Sequence, residues 1–163
     1  MSIISIVRIA PRPDGGFDFD NEGEWAFAIQ VYGFEVEMID VDQDGIPVEG
    51  MVYNVVDLLA WLPDSPGTWW MRRGDETPIL GSRNLAMAAY HGDSITLHQN
   101  PHEWLLGGRR GACVIKWGWP LGDLFADVGE IECSSVPLKR KLVASLRRWE
   151  PRVVVRKGVR HAA

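Results

Sequence analysis

Asp40-Val-Asp-Gln-Asp-Gly-Ile-Pro-Val-Glu-Gly-Met51 is the stretch on which the fold turns. It begins like a calcium loop, which would demand a helix on each side. Read as an acidic turn, it joins two antiparallel strands instead. A calcium loop places oxygen ligands at its first, third and fifth positions, glycine at the sixth and a bidentate glutamate at the twelfth. Asp40, Asp42, Asp44 and Gly45 match the first half, but Met51 fills the twelfth position and offers no oxygen. Glu49 falls two places early, and Pro47 sits beside the residue whose carbonyl should turn inward. Upstream, Phe34, Val36 and Met38 alternate with Glu35, Glu37 and Ile39, which predicts a strand with one largely buried face. Asp44-Gly45 is therefore read as the turn of a hairpin between residues 25–42 and 46–53.

Working outward, residues 3–10 (IISIVRIA) read as a first strand, and residues 14–24 as an acidic, glycine-rich surface loop. Asn54 is expected to cap a short helix, VVDLLAWL, stopped by Pro63. Thr68–Arg72 reads as a strand. Ser82 is expected to cap a helix ending at Gly92, followed by a strand over Ser94–His98. Asn100-Pro101 has the order of an N-cap followed by proline at the first helical position. Gly111–Trp117 and Val128–Cys133 read as strands, and Ser135 is expected to cap the clearest helix, residues 136–150. Its Leu138, Leu142, Leu146 and Trp149 form one apolar stripe, with basic residues around it. Val153–Arg156 reads as an edge strand, and about 157–163 as a frayed basic tail. Strands dominate the first half and helices alternate with strands in the second. This order predicts an α+β domain with a mixed sheet, antiparallel hairpins toward the N-terminus and about four helices. The one seam, Pro63–Gly67, is short enough to be a turn, so a single domain over 1–163 is expected.

The chain has 163 residues, 46% hydrophobic and 24% charged, in the range of soluble globular proteins. No apolar run approaches the roughly 18 residues that a membrane helix needs. The first residues lack the basic flank and long apolar core of a signal peptide. Its two cysteines, Cys113 and Cys133, lie in apolar runs and are expected to be reduced core thiols of a cytoplasmic protein.

The net charge of −5 conceals a division. Residues 1–67 hold 13 acidic and 2 basic side chains, a local balance of −11, whereas residues 139–163 hold nine basic ones against Glu150 alone. Such asymmetry points to an anionic partner or to pairing between the halves. Lys139, Arg140, Arg147, Arg148, Arg152 and Arg156, with Arg109 and Arg110 in the Gly-Gly-Arg-Arg-Gly turn, are the candidate contacts for an anion or nucleic acid. Against that reading, the acidic half would repel a duplex.

Other constellations are thinner. His91, His98 and His102 lie within 12 residues. His98 and His102 have the i, i+4 spacing of a metal pair, but Asn100-Pro101 interrupts the backbone between them. They remain a candidate pocket pair only. Asp127, Glu130 and Glu132 could share a cation, and a solvated strand face explains them equally well. No nucleophile elbow or phosphate loop occurs. Eight tryptophans are many for this length. Core packing accounts for most of them, and Trp117, Trp119, Leu121 and Phe125 are the expected interface. No metal or cofactor is expected. The residues favour a non-enzymatic binding or adaptor domain acting through protein contacts or self-association. A nucleic-acid accessory protein using the basic C-terminal segment is the alternative, and a metal-assisted hydrolase the third reading.

Overall fold

Five strands, β1 (Ser5–Pro11), β2 (Phe17–Phe19), β3 (Glu24–Val41), β4 (Pro47–Trp61) and β5 (Trp69–Met71), form an antiparallel sheet in the order β2-β1-β3-β4-β5. The computed structural model describes residues 4–74 and 77–148 of the chain. The sheet curls back on itself. The Met71 amide donates to the Gly15 carbonyl, and Gly16 bridges Met71, so β5 comes round beside the start of β2. Arg72 closes the seam through the Phe17 carbonyl and the Asp18 carboxylate. Small side chains permit this curvature. Ala26, Ala28 and Ala60 line the inner face with Ile9 and Phe17, and Trp70 packs against them.

A second, mixed sheet has the order β6-β8-β7-β9, from β6 (Ile79–Leu80), β7 (Ser94–His98), β8 (Ala112–Val114) and β9 (Glu130–Cys133). β7 runs parallel to β8 and β9, and β6 runs antiparallel to β8. Alternation along β8 sorts the layers. Ala112 and Val114 face one core with Leu85 and Ala88 of helix α1 (Ser82–His91), Phe125 of α3 (Gly122–Phe125), and Leu138 and Leu142 of α4 (Val136–Arg148). Cys113 faces the other core, with Ile29, Val31, Leu59, Trp61 and Met71 of the first sheet and Trp104 of α2 (Pro101–Leu106). The mixed sheet is thus the middle layer of an α+β fold, with the curled sheet and α2 on one side and α1, α3 and α4 on the other.

The opening stretch is a hairpin turn. Gly45 adopts φ 78°, and the Asp42 amide closes on the Ile46 carbonyl. The Asp42 carboxylate sits inside the turn and accepts from the amides of Asp44 and Ile46. Among the described residues, β1 pairs with β3 only through Ala28, and β5 with β4 only from Leu59. Beyond those points β3 and β4 pair with each other alone, as a two-stranded arm.

Four sequence expectations are corrected here. Residues 54–61 are strand, not helix. Their backbone groups are taken by β3 and β5, and the β-branched Val55 and Val56 suit that state. α3 lies where no helix was expected, which keeps the number at four among the described residues. The face expected to be buried along the arm is open at its outer end, where Met38 is 65% exposed. Within residues 14–24, expected as a surface loop, Phe17–Phe19 is a strand and Phe17 is buried in the inner core, while Trp69 and Trp70 pack on opposite faces because the curled sheet has a core on each side. The expected edge strand at 153–156 and the tail from 157 lie outside the described residues, as do Trp149, Arg152 and Arg156.

Candidate functional site

Where the arm leaves the curled sheet, it meets the start of α1 and the turn after α2. A cleft of about 350 Å³ opens there, lined among others by Tyr32, Tyr53, Arg83, Asn84, Trp104 and Arg109. Each side chain arrives for a local reason. Tyr32 lies beside a register shift between Val31 and Tyr32, where β4 carries one extra residue and the arm swings away from the sheet. The Ser82 hydroxyl donates to the Tyr32 carbonyl at 2.8 Å and ties α1 to this strand. Ser82 is thereby the first residue of the helix rather than its cap. The cap is Gly81 at φ 78°, with no side-chain partner for the first amides.

The turn from Gly107 to Gly111 is clamped at three successive carbonyls. Asn84 donates to the carbonyls of Arg109 and Gly111 at 2.7 and 2.8 Å, and the Trp104 indole also reaches Gly111 at 3.2 Å. His98 Nε2 meets the Arg110 carbonyl at 2.9 Å. A carbonyl only accepts, so His98 carries a proton on that nitrogen. Arg109 itself is the only non-glycine residue with positive φ (62°) among those described. That conformation costs about 1 kcal/mol or more for a residue with a side chain and gathers at functional positions. Here it belongs to a cation lining the cleft.

The chemistry is that of a receptor for negative charge with apolar walls. Arg83 lies over the Tyr53 ring at 5.6 Å, and Arg109 lines the same space. Tyr32 donates to Gln30, leaving its ring as wall. No acidic residue occurs in the first turn of α1 to neutralise the free amides. Three hollows are larger: two near Arg12 and Arg73, where among the described residues carboxylates pair with Arg12 and Arg72 though not with Arg73, and a shallower one where Asp93 lies with His91 and Arg110. The cleft is smaller, and among the described residues no carboxylate pairs with its arginines.

The sequence had singled out Arg109 alone of this group. Tyr32, Tyr53, Arg83 and Trp104 come from four elements distant in the chain, and no spacing connects them. Arg110 turns away and lines a shallow hollow on the other side with His91. His98 is spent on the turn carbonyl and His102 is half-buried at the start of α2, so the two do not converge with Arg109 and Arg110 on one pocket. Among the described residues no group of three His, Cys, Asp or Glu side chains is placed to hold a metal. Glu130 and Glu132 are exposed on β9.

Of the residues expected at an interface, Leu121 and Phe125 are buried in the helical core, where an apolar side chain gains more than on a surface. Trp117 is half-buried, with the Lys141 ammonium 4.3 Å from its ring, and Trp119 is exposed. Lys139, Arg140 and Arg147 are exposed on α4. Both cysteines are free, Cys113 buried and Cys133 only half-buried, so the latter is not a core thiol. Among the described residues no helix is long and apolar enough to cross a membrane. No protein-family model, curated protein or solved structure matches this chain.

Proposed function

We propose that this chain is a single, non-enzymatic binding domain that holds an acidic segment of a partner protein in the cleft between arm and α1. The observation that carries the reading is the pairing of Arg83 and Arg109 with the aromatic walls Tyr32, Tyr53 and Trp104 in one concavity. A carboxylate side chain satisfies the guanidinium groups through charge-assisted hydrogen bonds, and an adjoining apolar or aromatic residue covers the rings. The clamped turn supports the same reading, because a cation held in advance loses less freedom on binding.

The test uses a soluble glutamate–tyrosine copolymer as probe, followed by tryptophan fluorescence and calorimetry. Saturable binding that falls roughly tenfold in Arg83→Ala and again in Arg109→Ala supports the proposal, a loss of about 1.4 kcal/mol for each step. The same binding unchanged in both variants, or lost equally in Arg140→Glu, places any acidic contact elsewhere and overturns it.

A further inference from the structure

The arm ends in an amphipathic tip whose charge finds no partner within the described chain. A second register shift, between Met38 and Asp40, sets Met38 and Val41 on one face although they are three residues apart. Met38 pairs with Glu49 and Val41 with Pro47, and side chains alternate between faces along β4. Met38 is 65% exposed, Val41 50% and Ile46, in the turn, 59%. On the other face Glu37 and Asp40, paired with Gly50 and Val48, present exposed carboxylates beside the exposed Val48, and Asp42 and Asp44 add theirs at the turn. An apolar patch rimmed by one sign of charge is the ordinary form of a docking surface.

Helix α4 carries the complement. Leu138 and Leu142 are buried against the mixed sheet. On the opposite side Val136, Arg140, Val143 and Arg147 follow at i, i+4, i+7 and i+11, and all four are exposed. Valine and arginine alternate along that line, so it offers apolar surface flanked by positive charge. Among the described residues the ion pairs are Arg12–Asp14, Arg12–Asp18 and Arg72–Asp18. None joins the tip to α4. The opposite charges of the two halves are both turned outward.

We infer that the tip of the arm docks on the outward face of α4 in a second copy of this chain. Val48, on the same face as Asp40, and Ile46 of the turn cover Val136 and Val143, while Asp40 and Asp44 oppose Arg140 and Arg147. One chain presents both surfaces, so two chains can satisfy each other reciprocally and close as a dimer. This contact uses none of the cleft residues and stands or falls independently of the proposed function.

The experiment is sedimentation of the full chain over a wide concentration range, at ionic strengths of about 0.01 M and about 1 M, where charge screening lengths are roughly 30 and 3 Å. Two variants are compared with the parent: Asp40→Lys with Asp44→Lys, and Arg140→Glu with Arg147→Glu. Thermal melts verify that each is folded. The expected result is self-association of the parent that weakens with salt, loss of affinity by roughly tenfold or more in each variant alone, and its return in an equimolar mixture of the two. In that mixture each reversed tip meets a reversed helix, and each native tip a native helix. A parent that stays monomeric at every concentration, as it would if another part of the same chain covered either patch, overturns the proposal. So do variants that associate like the parent, and so does a mixture that fails to recover.

Discussion

The side-chain amide of Asn84, in the first turn of α1, donates to the carbonyls of Arg109 and Gly111 and so holds Arg109 in a left-handed conformation beside the cleft. Helix and turn are 25 residues apart in the chain. Replacing Asn84 by Ala takes this donor from the Arg109 carbonyl and leaves the Gly111 carbonyl with the Trp104 indole, which costs about 1–3 kcal/mol. Replacing Arg109 by Gly removes the strain of positive φ. The expected outcome is a stability gain of about 1 kcal/mol together with weaker capture of an acidic probe. Denaturant melts and binding isotherms on the same variants read both effects, and their opposite signs separate a binding role from a structural one.

Asp57 is a buried carboxylate within β4, and it staples the turn after β5. It accepts from the amides of Arg73 and Gly74 at 2.9 and 2.8 Å. Asp57→Ala leaves both amides without their acceptor, and a loss of about 1–3 kcal/mol is expected in urea unfolding, since bonds to a charged acceptor exceed neutral ones. Asp57→Asn keeps one acceptor oxygen and should lose roughly half as much.

Gly111 has φ 74°, and a Cβ there would collide with the main-chain carbonyl of Thr96 on the neighbouring strand. Backbone cannot yield as a side chain tip does. Gly111→Ala should therefore destabilise by about 3 kcal/mol or more, combining strain with displacement of β7 from β8. Gly108→Ala meets nothing within 4 Å at φ 70° and should cost only about 1 kcal/mol. The difference between the two melts isolates the close approach.

Burial, with the nearby Glu103 charge adding to it, pushes the Cys113 thiol pKa well above its ordinary value. Cys133 is raised less severely, again by burial, and is partly open to solvent. A thiol-reactive chromophore should thus label one cysteine in the native protein and two after unfolding. A raised thiol pKa means that the folded state keeps its proton where the unfolded chain has lost it. Its contribution to stability is complete below about pH 8.5, the unfolded value, and declines as pH rises further. Cys113→Ala should flatten that alkaline slope in melts between pH 8 and about pH 10.

The local punctuation was legible in the residues. Asn100 accepts from the Glu103 amide at 2.8 Å, as its place before Pro101 implied, and Ser94–His98 is the strand that was expected. Asp44-Gly45 is the hairpin turn, and the buried stripe of α4 includes Leu138 and Leu142. Each of these rests on side chains close in the chain acting on their own backbone. Residues 54–61 were misread because VVDLLAWL has an apolar period compatible with either state, and only the pairing offered by β3 and β5 decides between them. Leu121 and Phe125 were misread because composition reveals the presence of apolar surface but not which side of it meets the core.

By itself, then, the chain determined its α+β class, its hairpin turn, the helix caps at Asn100 and Ser135, and the separation of acidic and basic halves, all of which follow from short-range sterics and from counting charge. Only tertiary structure decided that the first sheet curls shut on alanines, that Tyr32, Tyr53, Arg83, Trp104 and Arg109 share one cleft, and that the acidic tip and the basic helix both face outward. These relationships join residues dozens of positions apart. They arise from how layers pack and where a β-bulge redirects a strand, and neither leaves a period or a spacing in the sequence.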